Sequence, residues 1–315
     1  MIFYTTLSQM AFLFLLIAIG YILVKLNLVS ENTECVLSKL ENYIFIPALV
    51  VGTFMSDFTV EKLSGARNLL LGSIILELIV IAVSMVCVRL CTKDRYIQNI
   101  YLYGLCFSNF GFMGNAVVSA LFPDIFLEYI IFTLVLWTAI YIWGAPVLLM
   151  GGGHGEPWRD RLKSFLNPMF VGMAIGMVIG IAGIQLPGFF HDLVGSLGAC
   201  MSPIAMLLTG MTVARSRLGE ILKFKSLYAV TFLRLVAFPL IFIAAAAFLP
   251  LSRTYVICGV CSLAMPLGLN TIVIPAAYGK DTRVASGMAV VSHMLSCITI
   301  PLIFLILDEL SVYSG

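Results

Sequence analysis

The chain has 315 residues, of which 61% are hydrophobic and 11% are charged, and its mean hydropathy is +1.07. A soluble domain of this length cannot bury so much apolar surface, so the composition excludes a soluble protein and indicates an integral membrane protein. The formal net charge of +2 carries little information by itself. The distribution of the charges along the chain carries more.

Ten apolar segments of roughly 20 residues, the length that a bilayer core requires, are predicted to span the membrane. They cover approximately residues 4–24, 40–56, 67–90, 97–121, 125–149, 165–183, 194–213, 225–249, 254–277 and 284–307. No basic residue precedes the first span, and Lys25 follows it. This order is typical of a signal anchor with its N-terminus outside and not of a cleaved signal peptide.

The basic residues predict the orientation of the spans. With the N-terminus outside, the cytoplasmic loops carry fourteen of the 18 Lys and Arg residues. The outer loops carry only Lys62, Arg67 and Arg253, and Arg234 remains inside a span. Because basic residues concentrate in cytoplasmic loops, this bias predicts an even number of spans with both termini outside the cytoplasm.

A polar, glycine-rich segment divides the chain into two halves. Residues 151–164 begin with Gly-Gly-Gly-His-Gly and form the predicted cytoplasmic linker between residues 1–150 and 165–315. Each half has five spans, an odd number, so the second half enters the membrane upside down relative to the first. The predicted architecture is all-α, with two inverted five-helix repeats. Pro47 in span two and Pro203 in span seven, 156 residues apart, support the repeat as matching kinks.

Spans four and nine are interrupted at matching positions. The stretch from Cys106 to Asn115 and the stretch from Cys261 to Asn270 each run from a Cys to an Asn nine residues later, and they are 155 residues apart. Paired interruptions in the two halves of a transporter point to its binding site, since irregular backbone survives in lipid only when it is buried or lines a cavity. Kinks that serve packing alone are the less favoured alternative. The residues that weaken helical hydrogen bonding are Gly111 and Gly114 in the first stretch, and Pro266 and Gly268 in the second.

The sequence Asn109-Phe-Gly-Phe-Met-Gly114 resembles the interrupted fourth helix of the auxin efflux carrier family, which includes plant carriers and bacterial permeases. Further motifs are similar to that family, in the same order and over nearly the whole chain. They are Leu166-Asn-Pro168, Leu186-Pro187, Pro203 to Gly210, Ala264-Met-Pro266, Tyr278-Gly279 and the run from Ser292 to Pro301. One departure is Asn115, where family members often place a Pro after the second Gly.

The resemblance implies a fold like that of sodium/proton antiporters and bile-acid symporters. In such a fold the broken spans four and nine cross near the bilayer midplane. Spans 1, 2, 6 and 7 form a scaffold, and spans 3–5 and 8–10 form a transport domain that moves against it. The resemblance also implies a homodimer through the scaffold, a place in a bacterial inner membrane, and export of small organic anions that are auxin-like or dicarboxylate.

The predicted substrate site is the crossing of the two broken helices. Helix N-terminal ends carry unpaired amides and partial positive charge, which suit a carboxylate. Asn109 and Asn270 offer further amide donors, and Asn115 can orient the break. The alternative for each Asn is a hydrogen bond to a neighbouring helix. The candidate binding residues are Asn109, Phe110, Gly111, Gly114, Asn115, Met265, Pro266, Gly268 and Asn270, with Asn42 and Tyr43 of span two as further contacts from the scaffold.

Three ionisable residues within spans, Glu77, Arg234 and His293, are functional hypotheses because burying a charge in a membrane is expensive. Glu77 and Arg234 are predicted to form a structural ion pair. Alternatively, Glu77 or His293 is a proton site that couples transport to pH. A third possibility is that Arg234 clamps a dicarboxylate, because a guanidinium binds a carboxylate through two parallel hydrogen bonds.

The leading hypothesis is a secondary transporter of small organic anions that works by alternating access. The alternatives are a sodium- or proton-coupled symporter of the bile-acid type, or a membrane sensor that binds the ligand without moving it. The chain has no HExxH, GxSxG or GxxxxGK[ST] motif, so an enzyme and an ATP-driven pump are disfavoured. No cofactor, metal or nucleic-acid partner is expected, and the coupling ion, H+ or Na+, stays open.

Overall fold

The computed structural model describes residues 2–30, 32–57, 60–149, 168–215, 225–268, 270–277, 280–281 and 283–309. Within these ranges the chain is helical, and its one β feature is an isolated antiparallel bridge between Ser108 and Leu267. The all-α class predicted from the sequence is therefore confirmed at this level. The predicted linker of residues 151–164 lies outside the described residues.

The described residues of the first half form seven α-helices and four other helical segments. The α-helices are α1 (Ile2–Lys25), α2 (Thr33–Leu40), α3 (Ile46–Asp57), α4 (Val60–Cys91), α5 (Arg95–Cys106), α6 (Asn115–Leu121) and α7 (Phe126–Ala139). π-Helical turns occupy Glu41–Phe45, Phe110–Gly114 and Ile140–Leu149, and a 3-10 turn occupies Pro123–Ile125.

The second half forms eight α-helices and one π-helical turn in its described residues. The helices are α8 (Pro168–Ala182), α9 (Gly188–Ala199), α10 (Met201–Arg215), α11 (Lys225–Phe232), α12 (Phe238–Ala246), α13 (Arg253–Ala264), α14 (Asn270–Ala277) and α15 (Arg283–Glu309). The π-helical turn Leu233–Ala237 joins α11 to α12.

Five helical stretches of the described chain are long and apolar enough to cross a membrane. They are Thr33–Ser56, Arg67–Cys91, Gly188–Arg215, Lys225–Ala246 and Arg283–Leu307. A sixth is formed if Asn115–Leu121 and Pro123–Ala139, which meet at a bend of 119°, are counted as one broken span. Shorter apolar helices cover Ala11–Lys25, Pro168–Ala182 and Arg253–Ala264. The protein is thus an integral membrane protein with at least five such helices among its described residues.

Prolines explain two of the π-helical turns. Pro47 follows the turn Glu41–Phe45 by two residues, and Pro239 follows the turn Leu233–Ala237 by two. A proline cannot donate a backbone hydrogen bond, and its ring collides with the carbonyl four residues earlier. A π turn, in which the Ile46 amide donates to the Glu41 carbonyl, widens the helix at that point. Pro203, the other predicted kink, lies in the first turn of α10, just after α9 ends.

Glycines bring α1 and α10 into backbone contact. A Cβ atom added to Gly210 would collide with the carbonyl oxygen of Ile17, and one added to Gly20 would collide with that of Leu207. The same kind of approach joins α3 to α8, where Gly176 lies against Val51. Small residues at such crossings let membrane helices gain close packing, which replaces the hydrophobic driving force that lipid does not supply.

Candidate functional site at the crossing of two interrupted helices

The two interruptions predicted from the sequence lie in contact. Helix α5 ends at Cys106 and helical structure resumes at Phe110, whereas α13 ends at Ala264 and α14 begins at Asn270. Between these ends, the Asn109 amide donates to the carbonyl oxygen of Pro266 over 2.7 Å, next to the β-bridge of Ser108 and Leu267. Backbone groups that the broken helices leave unpaired are thus partly satisfied by the other break.

Local sequence explains why the second helix opens here. Met265 adopts an extended conformation, with φ −70° and ψ 149°, because the residue before a proline is disfavoured in the helical region. Gly268 then lies directly against the first break. A Cβ atom at this position would be 3.1 Å from the carbonyl oxygen of Ser108 and 3.2 Å from that of Phe107. Pro266 therefore ends the helix, and Gly268 lets the two extended segments approach.

Arg234 binds the carbonyl ends of both half-helices. Its side chain is 1% exposed. Its guanidinium donates to the carbonyl oxygen of Leu105 over 2.7 Å and to that of Ser262. The carbonyls at a helix C-terminus lack partners within the helix and carry partial negative charge, so a buried cation is favourable there. Arg234 thus holds α5 and α13 together at the points where they stop.

Glu77 lies beside this junction. Its side chain is 6% exposed, and Glu77 and Arg234 both line a small cavity of about 10 Å³. Among the described residues, the hydrogen bonds of the guanidinium go to backbone carbonyls and none goes to Glu77. The structure brings the two predicted partners together, and a structural ion pair between them stays a prediction.

His293 on α15 joins the crossing through Asn109. The Nδ1 atom of His293 lies 2.7 Å from the carbonyl oxygen of Ala289, which can only accept, so Nδ1 carries the proton. Nε2 then accepts from the Asn109 side-chain nitrogen over 3.0 Å. The Oδ1 atom of Asn109, on a side chain that is 2% exposed, is buried without a hydrogen-bond partner. Asn109 therefore presents an acceptor to the site, where the sequence predicted a donor.

The other two asparagines of the crossing differ from each other. The Asn270 side-chain nitrogen donates to the Tyr103 hydroxyl over 3.1 Å, so it joins the second break to α5. Asn115 begins α6, and its Oδ1 atom is buried and has no hydrogen-bond partner. The side-chain oxygens of Asn109 and Asn115 are therefore two buried acceptors at the crossing to which no described group donates.

Aromatic rings of α7 fill the space left by the glycines of the first break. A Cβ atom at Gly111 would collide with the ring of Trp137, and one at Gly114 would collide with the Tyr129 hydroxyl. That hydroxyl donates to the carbonyl oxygen of Phe110 over 3.0 Å. The ring of Phe110 packs edge-on against Trp137, with centroids 5.1 Å apart.

Sequence reasoning missed several polar side chains that support the crossing. Besides Tyr103 and Tyr129, the Ser292 hydroxyl accepts from the Leu267 amide over 3.2 Å, and the Ser108 hydroxyl donates to the Ser262 carbonyl over 2.7 Å. The available signal was a hydroxyl group in the middle of an apolar span, which is too common in membrane helices to single out these positions.

Comparison with known proteins identifies the family. A protein-family profile described as "Membrane transport protein" matches residues 5–156 and 159–304. The chain belongs to this family. The resemblance to auxin efflux carriers is confirmed, because the matched family is that of these carriers. A relative from Methanothermobacter thermautotrophicus, described as an uncharacterized transporter, is 24% identical over 310 residues, which is 96% of this chain and 98% of the relative. The protein is thus a membrane transporter and not an enzyme.

In this transporter most described residues of the crossing are buried, although Asn270 is partly exposed. A larger groove of about 860 Å³ lies elsewhere, between α4, α7, α12 and α13. Its walls are mostly Leu, Ile, Val, Phe and Ala side chains, and large apolar side chains of α4 such as Leu78 and Ile79 are exposed nearby. Such a surface suits lipid chains better than a small polar solute.

The two predicted scaffold contacts lie on the π-helical turn of Glu41–Phe45. The Asn42 side-chain nitrogen donates to the Ser38 carbonyl over 2.8 Å, and Tyr43 is 66% exposed. This turn of the transporter packs on α2, α3, α8, α9 and α10. A role for Asn42 and Tyr43 in binding stays a prediction. Among the described residues, no cluster of three His, Cys, Asp or Glu side chains could hold a metal ion.

Proposed function

We propose that this protein is a secondary transporter that carries small organic anions, such as auxin-like or dicarboxylate acids, by alternating access around the crossing. The observation that carries this proposal is the contact between the two interruptions, in which the Asn109 amide bonds the Pro266 carbonyl. Broken helices that meet inside a membrane protein form binding sites because their free ends point at the same place.

The proposed architecture has ten spans in two inverted repeats, residues 1–150 and 165–315. Reciprocal packing supports it. Span one (α1) packs on span seven (α10), and the corresponding pair, span two (α3) and span six (α8), packs in the same way. Spans 1, 2, 6 and 7 would form the scaffold and the homodimer contact, and spans 3–5 and 8–10 would move. We place both termini outside the cytoplasm of a bacterial cell, with the protein in its inner membrane.

Backbone amides are the proposed partners of the substrate carboxylate. Helical structure resumes at Phe110 and at Asn270, and the first amides of a helix lack intrahelical partners. No Asp, Glu, Lys or Arg lies within either interruption. An anion held by amides needs no formal positive charge from the protein, and the N-terminal end of a helix favours it.

The unpaired side-chain oxygens of Asn109 and Asn115 place a second requirement on the chemistry of the substrate. A buried acceptor that stays unpaired costs about 1–3 kcal/mol, so the oxygens of Asn109 and Asn115 favour an occupant that donates hydrogen bonds. A hydroxy acid or an indole acid has both a carboxylate and a donor. We therefore expect the transporter to prefer an acid with a hydroxyl or N–H group over the same acid without it.

Uptake into proteoliposomes tests this function. Labelled malate and succinate differ by one hydroxyl group, and malonate and indole-3-acetate extend the series. Each acid is offered with a pH gradient, a sodium gradient or an imposed potential. We expect malate to be favoured over succinate by about five- to hundredfold in uptake efficiency. Asn109→Leu should lose most of this preference. Wild-type uptake and preference in Asn109→Leu would place the site away from the crossing.

The proton-coupled alternative is favoured by the burial of Glu77 and His293 next to the crossing. Its test is the pH dependence of uptake in Glu77→Gln and in His293→Ala. If both variants keep the wild-type pH dependence, neither residue couples transport to protons. If no acid moves under any gradient, yet one raises the melting temperature of the protein, the chain is a sensor and the transport proposal fails.

A further inference from the structure

Glu41 is a further ionisable residue inside a predicted span. It opens the π-helical turn of Glu41–Phe45 and is 0% exposed. Both oxygens of its carboxyl group are buried without a hydrogen-bond partner. The backbone of Ala205 on α10 is a polar neighbour of the carboxyl group, but its geometry does not form a hydrogen bond. The carboxyl group therefore lies in a closed seam between span two and span seven.

Among the described residues, no charged group on the elements that pack against this turn bonds to the Glu41 carboxyl group. Lys39 is two residues earlier, where a helical side chain points to the opposite side, and it is exposed. Arg215 lies ten residues beyond Ala205, about 15 Å along α10. Among residues with described side chains, the other titratable ones of α2, the turn itself, α3, α9 and the turn between α9 and α10 are Glu34, Cys35, Tyr43, His191, Asp192 and Cys200, and α8 carries none in its described length.

An ionised carboxylate in such a seam would lose its hydration and gain no partner, which is among the most expensive arrangements in a protein. A carboxylic acid that keeps its proton avoids most of this cost. We propose that Glu41 is a proton-binding site of the scaffold, separate from the crossing. It exchanges its proton with the cytoplasmic side only when the seam between α2 and α10 opens.

An ion pair closes the seam at the end where α2 begins. The guanidinium of Arg215 pairs with Glu34 and also donates to the Ser30 carbonyl over 3.1 Å. Glu34 precedes Glu41 by seven residues, two helical turns, so both lie on the same face about 10 Å apart. This end is the predicted cytoplasmic one. The Glu34–Arg215 pair therefore stands between Glu41 and the water on that side.

Infrared spectroscopy tests the protonation of Glu41 directly. The carbonyl stretch of a protonated carboxylic acid has a different frequency from the stretches of a carboxylate. Subtracting the spectrum of Glu41→Gln from that of the wild type leaves the bands of this one residue. We expect this difference to contain a protonated-acid band at pH 7. Gln has the shape of the neutral acid, so the variant should fold. Glu77→Gln is the matched control for a second buried carboxyl group. A difference spectrum with only carboxylate bands at pH 7 would overturn the proposal.

Hydrogen–deuterium exchange tests the gate. Transfer to D₂O shifts the protonated-acid band as the proton is replaced, and the rate of that shift reports opening of the seam. We expect Glu34→Gln to accelerate the exchange at Glu41 by about two- to fivefold, the factor expected for loss of a partly exposed ion pair. Equal rates in the wild type and Glu34→Gln would show that this pair does not gate the site. Neither measurement requires a substrate, so both are independent of the proposed transport.

Discussion

Arg234 and Glu41 are both buried ionisable residues, but their surroundings are opposite. The guanidinium of Arg234 donates to backbone carbonyls at the ends of two half-helices. The carboxyl group of Glu41 has no hydrogen-bond partner on either oxygen. Arg234 replaces hydration with fixed dipoles and so can stay charged, whereas Glu41 is cheapest to bury as a neutral acid.

This contrast shows two roles that a buried ionisable residue can have in a membrane protein. A buried charge with several hydrogen-bond partners fixes geometry, and removing it takes a donor from each of them. A carboxyl group without partners fixes little, and its value lies in the proton that it can exchange. Substitutions at the two sites should therefore have effects of very different size on stability.

Arg234→Met tests the buried charge that has hydrogen-bond partners, and we expect it to have the largest effect on stability. The variant removes the side-chain donor of the Leu105 carbonyl and one of the two side-chain donors of the Ser262 carbonyl, and we expect a loss of about 3–5 kcal/mol in the free energy of unfolding. Denaturation of the purified protein in detergent measures it. Arg234→Lys keeps the charge but lacks the planar fork, so it should recover only part of the loss. A wild-type stability in Arg234→Met would refute the role of Arg234 at the junction.

Gly268→Ala tests the close contact between the two helix interruptions, which lie beside Arg234. The added methyl group would press on the carbonyls of Ser108 and Phe107, and we expect a cost of about 1–3 kcal/mol together with reduced uptake. Gly188→Ala is the matched control, because a Cβ atom there meets nothing within 4 Å. Equal melting temperatures of the two variants would show that the breaks are not in tight contact.

Asp281→Ala measures how much a charged group outside the predicted spans contributes to the free energy of unfolding. The Asp281 carboxylate accepts from the Arg283 amide and guanidinium at the start of α15, and these bonds hold the pKa of Asp281 below its ordinary value of 3.8. We expect Asp281→Ala to cost ~1 kcal/mol at pH 7, the upper end of the range for an exposed ion pair. Because the folded pKa is lowered, this contribution is present above pH 3.8 and is lost as the pH falls through the folded pKa. Melting curves between pH 7 and pH 2 measure it, and a difference between the wild type and the variant that is as large at pH 2 as at pH 7 would contradict it.

Glu41→Gln should have the smallest effect on stability. A neutral amide of the same shape replaces a neutral acid, so we expect a change of less than about 1 kcal/mol in the free energy of unfolding. The same denaturation experiment as for Arg234→Met gives the comparison. A loss as large as that of Arg234→Met would mean that Glu41 is charged and paired in the folded protein.

The two interruptions could be predicted from the sequence, because their signals are backbone signals. Glycine and proline at matching positions of two halves do not depend on knowing what the side chains touch, and the structure brings these residues together at Asn109 and Pro266. The partners of Arg234 could not be predicted in the same way. They are backbone carbonyls of distant helices, and every residue has one, so no residue type marks them.

Glu41 was missed although it lies within the predicted span of residues 40–56. It comes two residues after Lys39 near the end of that span, a position typical of a side chain that reaches the membrane surface. Only the packing of α8, α9 and α10 over the turn buries it. The direction of the Asn109 side chain was also beyond the sequence, because it depends on which nitrogen of His293 carries the proton.

The π-helical turn at Glu41–Phe45 has a consequence for how this membrane segment tolerates change in length. Such a turn holds one residue more than an α-helical turn, so deleting one residue restores ordinary winding without breaking the helix. Each residue of an α-helix accounts for about 100° of rotation, so a deletion inside α3 would turn the helix before it by that angle relative to the part after it. A deletion within the turn Glu41–Phe45 removes the residue that the wider turn already accommodates. In that case α2 would keep the side that packs on α10, and α3 would keep the side that packs on α8.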